Sequence, residues 1–167
     1  MSASVSALVG MREHVGFLKL IGDVRYPAAP AIDRAVGKLM TANEFDSFVV
    51  DLREVGHVDS TILGLVARVG GVTLRRYGRR AVIACVDEDM LTGLRAVGFD
   101  TVFVVVAKPP DEPEHFEPVE CAETSGEELA ATMISAHREL MGMSEQMRRE
   151  LEPSVTMLER ELAGERR

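Results

Sequence analysis

Asp59-Ser60-Thr61 sets a carboxylate beside two hydroxyls at the point where the residue pattern turns helical. Asp and Ser are ordinary helix caps, because a side-chain oxygen there accepts from an unpaired N–H of the first turn. The same place also suits a covalent modification. A helix start leaves its first N–H groups unpaired and carries about half a positive charge, so the fold tolerates a phosphate there that adds roughly two negative charges to the surface. Ser60 is the first candidate acceptor and Thr61 the second, the plain alternative for Thr61 being a satisfied first-turn hydroxyl. A partner shaped to the neutral Ser60 would meet a dianion next to Asp59, and such like-charge contact disfavours binding.

The other reactive residues form no comparable group. His57 precedes the run, but the four histidines at 14, 57, 115 and 137 lack metal-ligand spacing, so no metal site is expected. Asp51 and Asp59 read as a strand end and a helix cap. With no phosphate loop, no paired carboxylates and no nucleophile with a spaced base, neither a cofactor nor catalysis is expected. Gly70-Gly71 falls inside a helical stretch and suggests close helix packing. Arg75, Arg76, Arg79 and Arg80 gather near a helix C-terminus, where the dipole favours cations and solvent receives them. Cys85 in an apolar run and Cys121 in a polar one read as two idle, reduced thiols.

Those residues need elements to hold them. Residues 5–10 and 15–22 read as two strands of an opening hairpin, and Ala28 to Met40 as a helix with Ile32, Val36, Leu39 and Met40 on one face. Phe48 to Leu52 is a third strand with 53–56 as a turn. The stripe Ile62, Leu65, Val66, Val69, Val72 and Thr73 predicts a second helix over 60–77, closed by Gly78. Ala81 to Val86 is a strand, Asp87 to Gly98 a short helix, and Thr101 to Ala107 the last strand. This order argues a mixed sheet with helices packed on it.

The chain has 167 residues, 46% hydrophobic and without Trp, enough for one compact domain with an aliphatic core and an appendage. Its net charge of −8 is uneven: residues 1–107 hold 12 basic and 12 acidic side chains, and residues 108–167 hold 7 and 15. Such a balance speaks against a nucleic-acid surface. No apolar stretch has the ~18 residues a membrane span needs, and Met1 to Ser6 lacks an export pattern, so a cytoplasmic protein without membrane attachment is expected. The prolines at 109, 110 and 113 end the domain at 107, and a Pro/Glu-rich linker covers 108–124. In the tail, 125–167, Ser125 and Glu128 resemble a capping box. Leu129, Met133, Ala136, Leu140, Met143, Met147 and Leu151 form one stripe running to Pro153, which predicts a single helix about 40 Å long. Methionines 133, 141, 143 and 147 give it an adaptable face, read as an interaction element more than a fold-back onto its own domain. A homodimer through this helix is one form that could take.

Val49-Val50-Asp51-Leu52, the turn after it, and Val58-Asp59-Ser60 opening a helix resemble the signature of the STAS family, the domain of anti-sigma factor antagonists and sulphate-transporter tails. The resemblance covers residues 5–107. It implies an α/β fold, a STAS-like mixed sheet of four to five strands with packed helices, to which the long C-terminal amphipathic helix is added. In the antagonists the Ser of Asp-Ser is phosphorylated by a kinase that is also the anti-sigma factor, and a PP2C-type phosphatase reverses it. By position, the resemblance makes Ser60 the acceptor and Asp59, Ser60, Thr61, His57 and Leu63 the partner-binding residues. Thr61-Ile62-Leu63-Gly64 departs from the many relatives that carry a second Ser and an earlier Gly. The partner expected is an anti-sigma factor with kinase activity or a response regulator, held while Ser60 is unmodified and released on phosphorylation. The rival reading is a constitutive STAS scaffold subunit of a lipid-transport or sensory complex, indifferent to charge at Ser60.

Overall fold

A computed structural model describes residues 6–42 and 44–164; Val5, where the first strand was expected to begin, lies outside the described residues. Strands β1 (Ala7–Arg12) and β2 (Val15–Val24) pair antiparallel around the tight turn at Glu13-His14, with Glu13 at φ 53°. A turn of 3-10 helix leads into α1 (Ala29–Ala42), which buries Ile32 and Val36. Strand β3 (Ser47–Val58) follows, then α2 (Ser60–Tyr77), β4 (Ala81–Ala84), α3 (Glu88–Val97) and β5 (Phe103–Val106). A two-residue strand β6 (Glu117–Pro118) precedes α4 (Gly126–Met141) and α5 (Glu145–Leu162).

The strands form one mixed sheet in the order β5-β4-β3-β2-β1-β6, parallel from β2 to β5 and antiparallel at β1. The parallel strands need apolar side chains on both faces, and β3 supplies them through Phe48, Val49, Val50 and Leu52. Leu18, Leu20, Phe48, Val50 and Ile83 join the core shared with α1 and α2. Phe17, alternate in β2, meets Phe116 edge-on with ring centroids 6.3 Å apart. Gly70 of α2 sits so close to the sheet that a Cβ would stand 2.6 Å from the Phe103 ring, which accounts for a glycine in mid-helix.

Three expectations need correction. Residues 53–56 are not a turn: β3 runs on to Val58, because the end of β2 stays alongside it, Val24 opposite Val58, across two register shifts. Those bulges let the two strands remain paired while the alternation of apolar residues is lost. Residues 108–124 include strand β6 on the free edge of β1, with Val119 N–H donating to the Ala7 carbonyl at 2.9 Å, so the sheet has six strands. The single tail helix is two helices. Gly142-Met143 interrupts it and Ser144 opens α5, its hydroxyl accepting from Met147 N–H at 3.1 Å. Pro153 does not end α5; it lies on the exposed side, where solvent can take the carbonyl its missing N–H leaves free.

The tail folds back. Ala136 and Leu140 of α4 are fully buried and Leu151 of α5 nearly so, all in the same core as the sheet. Much of the apolar stripe that suggested a second copy is therefore buried within the chain. Among the described residues, no helix is long and apolar enough to cross a membrane.

Candidate functional site

The long strand β3 delivers the chain to Asp59, whose extended backbone ends the strand and caps α2. Oδ1 of Asp59 accepts from Ile62 N–H at 3.0 Å, and Oδ2 accepts from Tyr26 N–H at 2.6 Å. One carboxylate thus fixes both the first turn of α2 and the entry to α1. Gly78 closes the other end of α2 in the left-handed region, φ 67°, its N–H donating to the Leu74 carbonyl.

Ser60 is the first residue of α2 and is partly buried. Its Oγ lies 3.1 Å from Nε2 of His137, and Thr61 Oγ1 lies 3.3 Å from the same nitrogen. His137 comes from α4, 77 residues further along the chain. The residue is 5% exposed, and among the described residues its Nδ1 has no hydrogen-bond partner. Burial pushes the imidazole pKa down, the charge of Asp59 working against it, so the ring is held toward its neutral form.

Of the expected partner-binding residues, Thr61 stands apart. His57 is exposed on the last part of β3, and Asp59, Ser60 and Leu63 are partly buried. Thr61 is 2% exposed beneath His137, which places it inside the α2–α4 contact and not on an outer face. Sequence reasoning missed His137 altogether. A lone His in an amphipathic stretch carries no signal until the tail is known to fold back.

Ser60 and His137 stand at nucleophile–base distance, but the third member of such a set is missing. Among the described residues no carboxylate bonds Nδ1 of His137, and both oxygens of Asp59 are engaged by Ile62 and Tyr26. The arrangement can bury or expose a hydroxyl.

Earlier in β3, Asp51 is buried and receives a fork from Arg53, Nε to Oδ1 at 3.0 Å and Nη2 to Oδ2 at 2.8 Å. Burial acts to raise the Asp51 pKa, but the Arg53 hydrogen bonds and charge outweigh it and hold the carboxyl below its ordinary value. Arg53 also donates to Glu112 at 3.1 Å, which ties the middle of β3 to the segment after β5. Asp51 is thus a structural anchor behind the site. At the other end of α2, Arg75 pairs with Glu139 of α4 at 3.8 Å and Arg80 donates to the Asp100 carbonyl at 3.0 Å. Cys85 is buried and Cys121 exposed, and neither is bonded to the other.

The STAS domain family matches residues 7–112, from β1 through the Arg53–Glu112 tie. The chain belongs to the STAS family. Its sheet and helices resemble a solved anti-sigma factor antagonist from Mycobacterium paratuberculosis, at 20% identity and a TM-score of 0.51 over 65% of this chain and 92% of that one. The phosphorylated form of the Bacillus cell fate determinant SpoIIAA is also similar, at 12% identity and a TM-score of 0.48 over 61% and 92%. At these identities the likeness concerns the fold. No curated protein matches the chain at the sequence level. The STAS match stops at residue 112, so α4 and α5, with His137, are additions to the family domain.

Proposed function

We propose that the chain is an anti-sigma factor antagonist of the partner-switching kind, a binding module and not a catalyst. In the unmodified state the start of α2, through Asp59, Ser60 and Leu63 with His57 beside it, binds an anti-sigma factor with serine-kinase activity or a response regulator. Phosphorylation of Ser60 releases that partner, and a PP2C-type phosphatase restores binding. The observation that carries the reading is the position of Ser60 as first residue of a helix capped by Asp59, in a STAS domain. A phosphate there is compatible with the helix dipole yet sets roughly two negative charges next to a carboxylate, so the fold survives and the surface changes.

The test is a pull-down from native lysate with wild type, Ser60→Ala and Ser60→Asp chains as bait, analysed by mass spectrometry. An ATPase of the histidine-kinase-like type or a response regulator held by wild type and Ser60→Ala but lost from Ser60→Asp is the expected result. A partner held equally by all three would make Ser60 a helix residue only and leave the constitutive scaffold in its place.

A further inference from the structure

Helix α2 is buried on two sides. One side carries Ile62, Leu65, Val66 and Val69 into the core it shares with the sheet. The other runs through Thr61, Gly64 and Arg68 and is covered by α4. At its centre the two helices touch backbone to backbone: a Cβ on Gly64 would stand 2.1 Å from the Ala136 carbonyl oxygen. Toward the start of α2, His137 sits over Ser60 and Thr61. Further along, Arg68 donates to Ser135 and lies 4.0 Å from Glu139, which also pairs with Arg75.

We propose that α4 is an intramolecular occupant of the Ser60 face, so that the free chain rests in a closed state and a regulatory partner gains that face only by displacing the α4–α5 hairpin. The proposal rests on the reading of Ser60 as the recognition site and adds its regulation. The seat also states what fits it: a helix with a small residue opposite Gly64, a hydrogen-bonding side chain opposite Ser60 and Thr61, and a carboxylate between Arg68 and Arg75.

Several features suit α4 to release. Its polar ties to α2 run through His137, Ser135 and Glu139. The buried Nδ1 of His137 without a partner weakens the closed state, since an unpaired buried nitrogen is bonded to water once the helix lifts. A phosphoryl group on Ser60 Oγ would need the space that His137 fills at 3.1 Å, so the acceptor and the seat compete for one volume.

The experiment uses the full chain with Cys121→Ser, which removes the exposed thiol, and Ser60→Cys, which places a new one under α4. The probe is a polymer-tailed maleimide too bulky to enter the seam, scored by mobility shift, with the Cys121→Ser chain giving the background from buried Cys85. Two further variants open the seat from the α4 side and leave α2 intact: Ala136→Leu, which enlarges a fully buried side chain of the shared core next to the backbone contact with Gly64, and Glu139→Lys, which reverses a partly exposed pair. Masking predicts slow labelling of the parent, at least tenfold faster labelling with Ala136→Leu and several-fold faster with Glu139→Lys, the sheet staying folded by circular dichroism. Should Ala136→Leu fail to fold, Glu139→Lys decides. A parent that labels as fast as the opened variants overturns the proposal. Because labelling needs no partner, that result would leave the Ser60 switch standing, and the pull-down can fail without touching this one.

Discussion

His137 bears most directly on how available Ser60 is, and its own protonation should show it. Burial depresses its pKa in the folded chain against the pull of Asp59. A depressed histidine contributes its full stability above the pKa of the free imidazole, about 6.5, and loses it as pH falls below that value. Opening of α4, followed by amide hydrogen exchange, is therefore expected to become more frequent between about pH 7 and pH 5, and His137→Gln should flatten that dependence. Asp51 gives a second expectation at this scale. With Arg53→Met its buried carboxylate loses the fork that neutralises it, and the chain should lose about 3 kcal/mol of stability in urea unfolding. At the residue scale the sequence was readable where neighbours in sequence act together, as in the Asp59 cap and Ser60 at the first position of α2. It was not readable where the partner lies 77 residues away, as with His137.

Helix α2 links the sheet to the tail, and its cap is the element-scale test. Asp59→Ala removes two hydrogen bonds, to Ile62 and to Tyr26, and should cost about 1–2 kcal/mol in denaturant unfolding, with the first turn of α2 exchanging its amides faster. The helix bounds 60–77 were legible because both stop signals are local: an Asp that caps and a Gly that takes a left-handed turn. Strand β3 was half-legible. Its apolar first half announced itself, but Arg53 to Val58 alternates poorly and is held in the sheet by the register shifts against β2, which no local pattern reveals. The break at Gly142-Met143-Ser144 was likewise passed over. The apolar stripe continued across it, although Ser144 with its bond to Met147 is a helix-start signal of the same kind as Ser125 with Glu128.

On the scale of the whole molecule, the α4–α5 hairpin shares its core with the STAS domain, although the family match ends before it. Leu140→Ala should destabilise the chain by about 2–5 kcal/mol in urea unfolding, because Leu140 is fully buried in that common core. In native-state hydrogen exchange α4 and α5 are expected to open at lower free energy than β2, β3 and β4, as a tail that must yield to a partner requires. The domain's order of elements was legible from periodicity. The docking of the tail was not, because an amphipathic helix states that its apolar face is covered but not by what. Acidity in the last third told of a different surface, and that acid in part meets α2, through Glu139 with Arg68 and Arg75.

In the proposed switch, charge on Ser60 decides whether a regulator is held, and one titration probes that point. The captured regulator is titrated calorimetrically with the full chain in two forms, unmodified and phosphorylated, the site confirmed by mass spectrometry of the same samples. The phosphate is expected on Ser60, with binding weaker by about two orders of magnitude in the phosphorylated form, as a dianion brought against a matched neutral surface implies. Equal affinity of the two forms, or a phosphate carried elsewhere while Ser60 stays free, would contradict it.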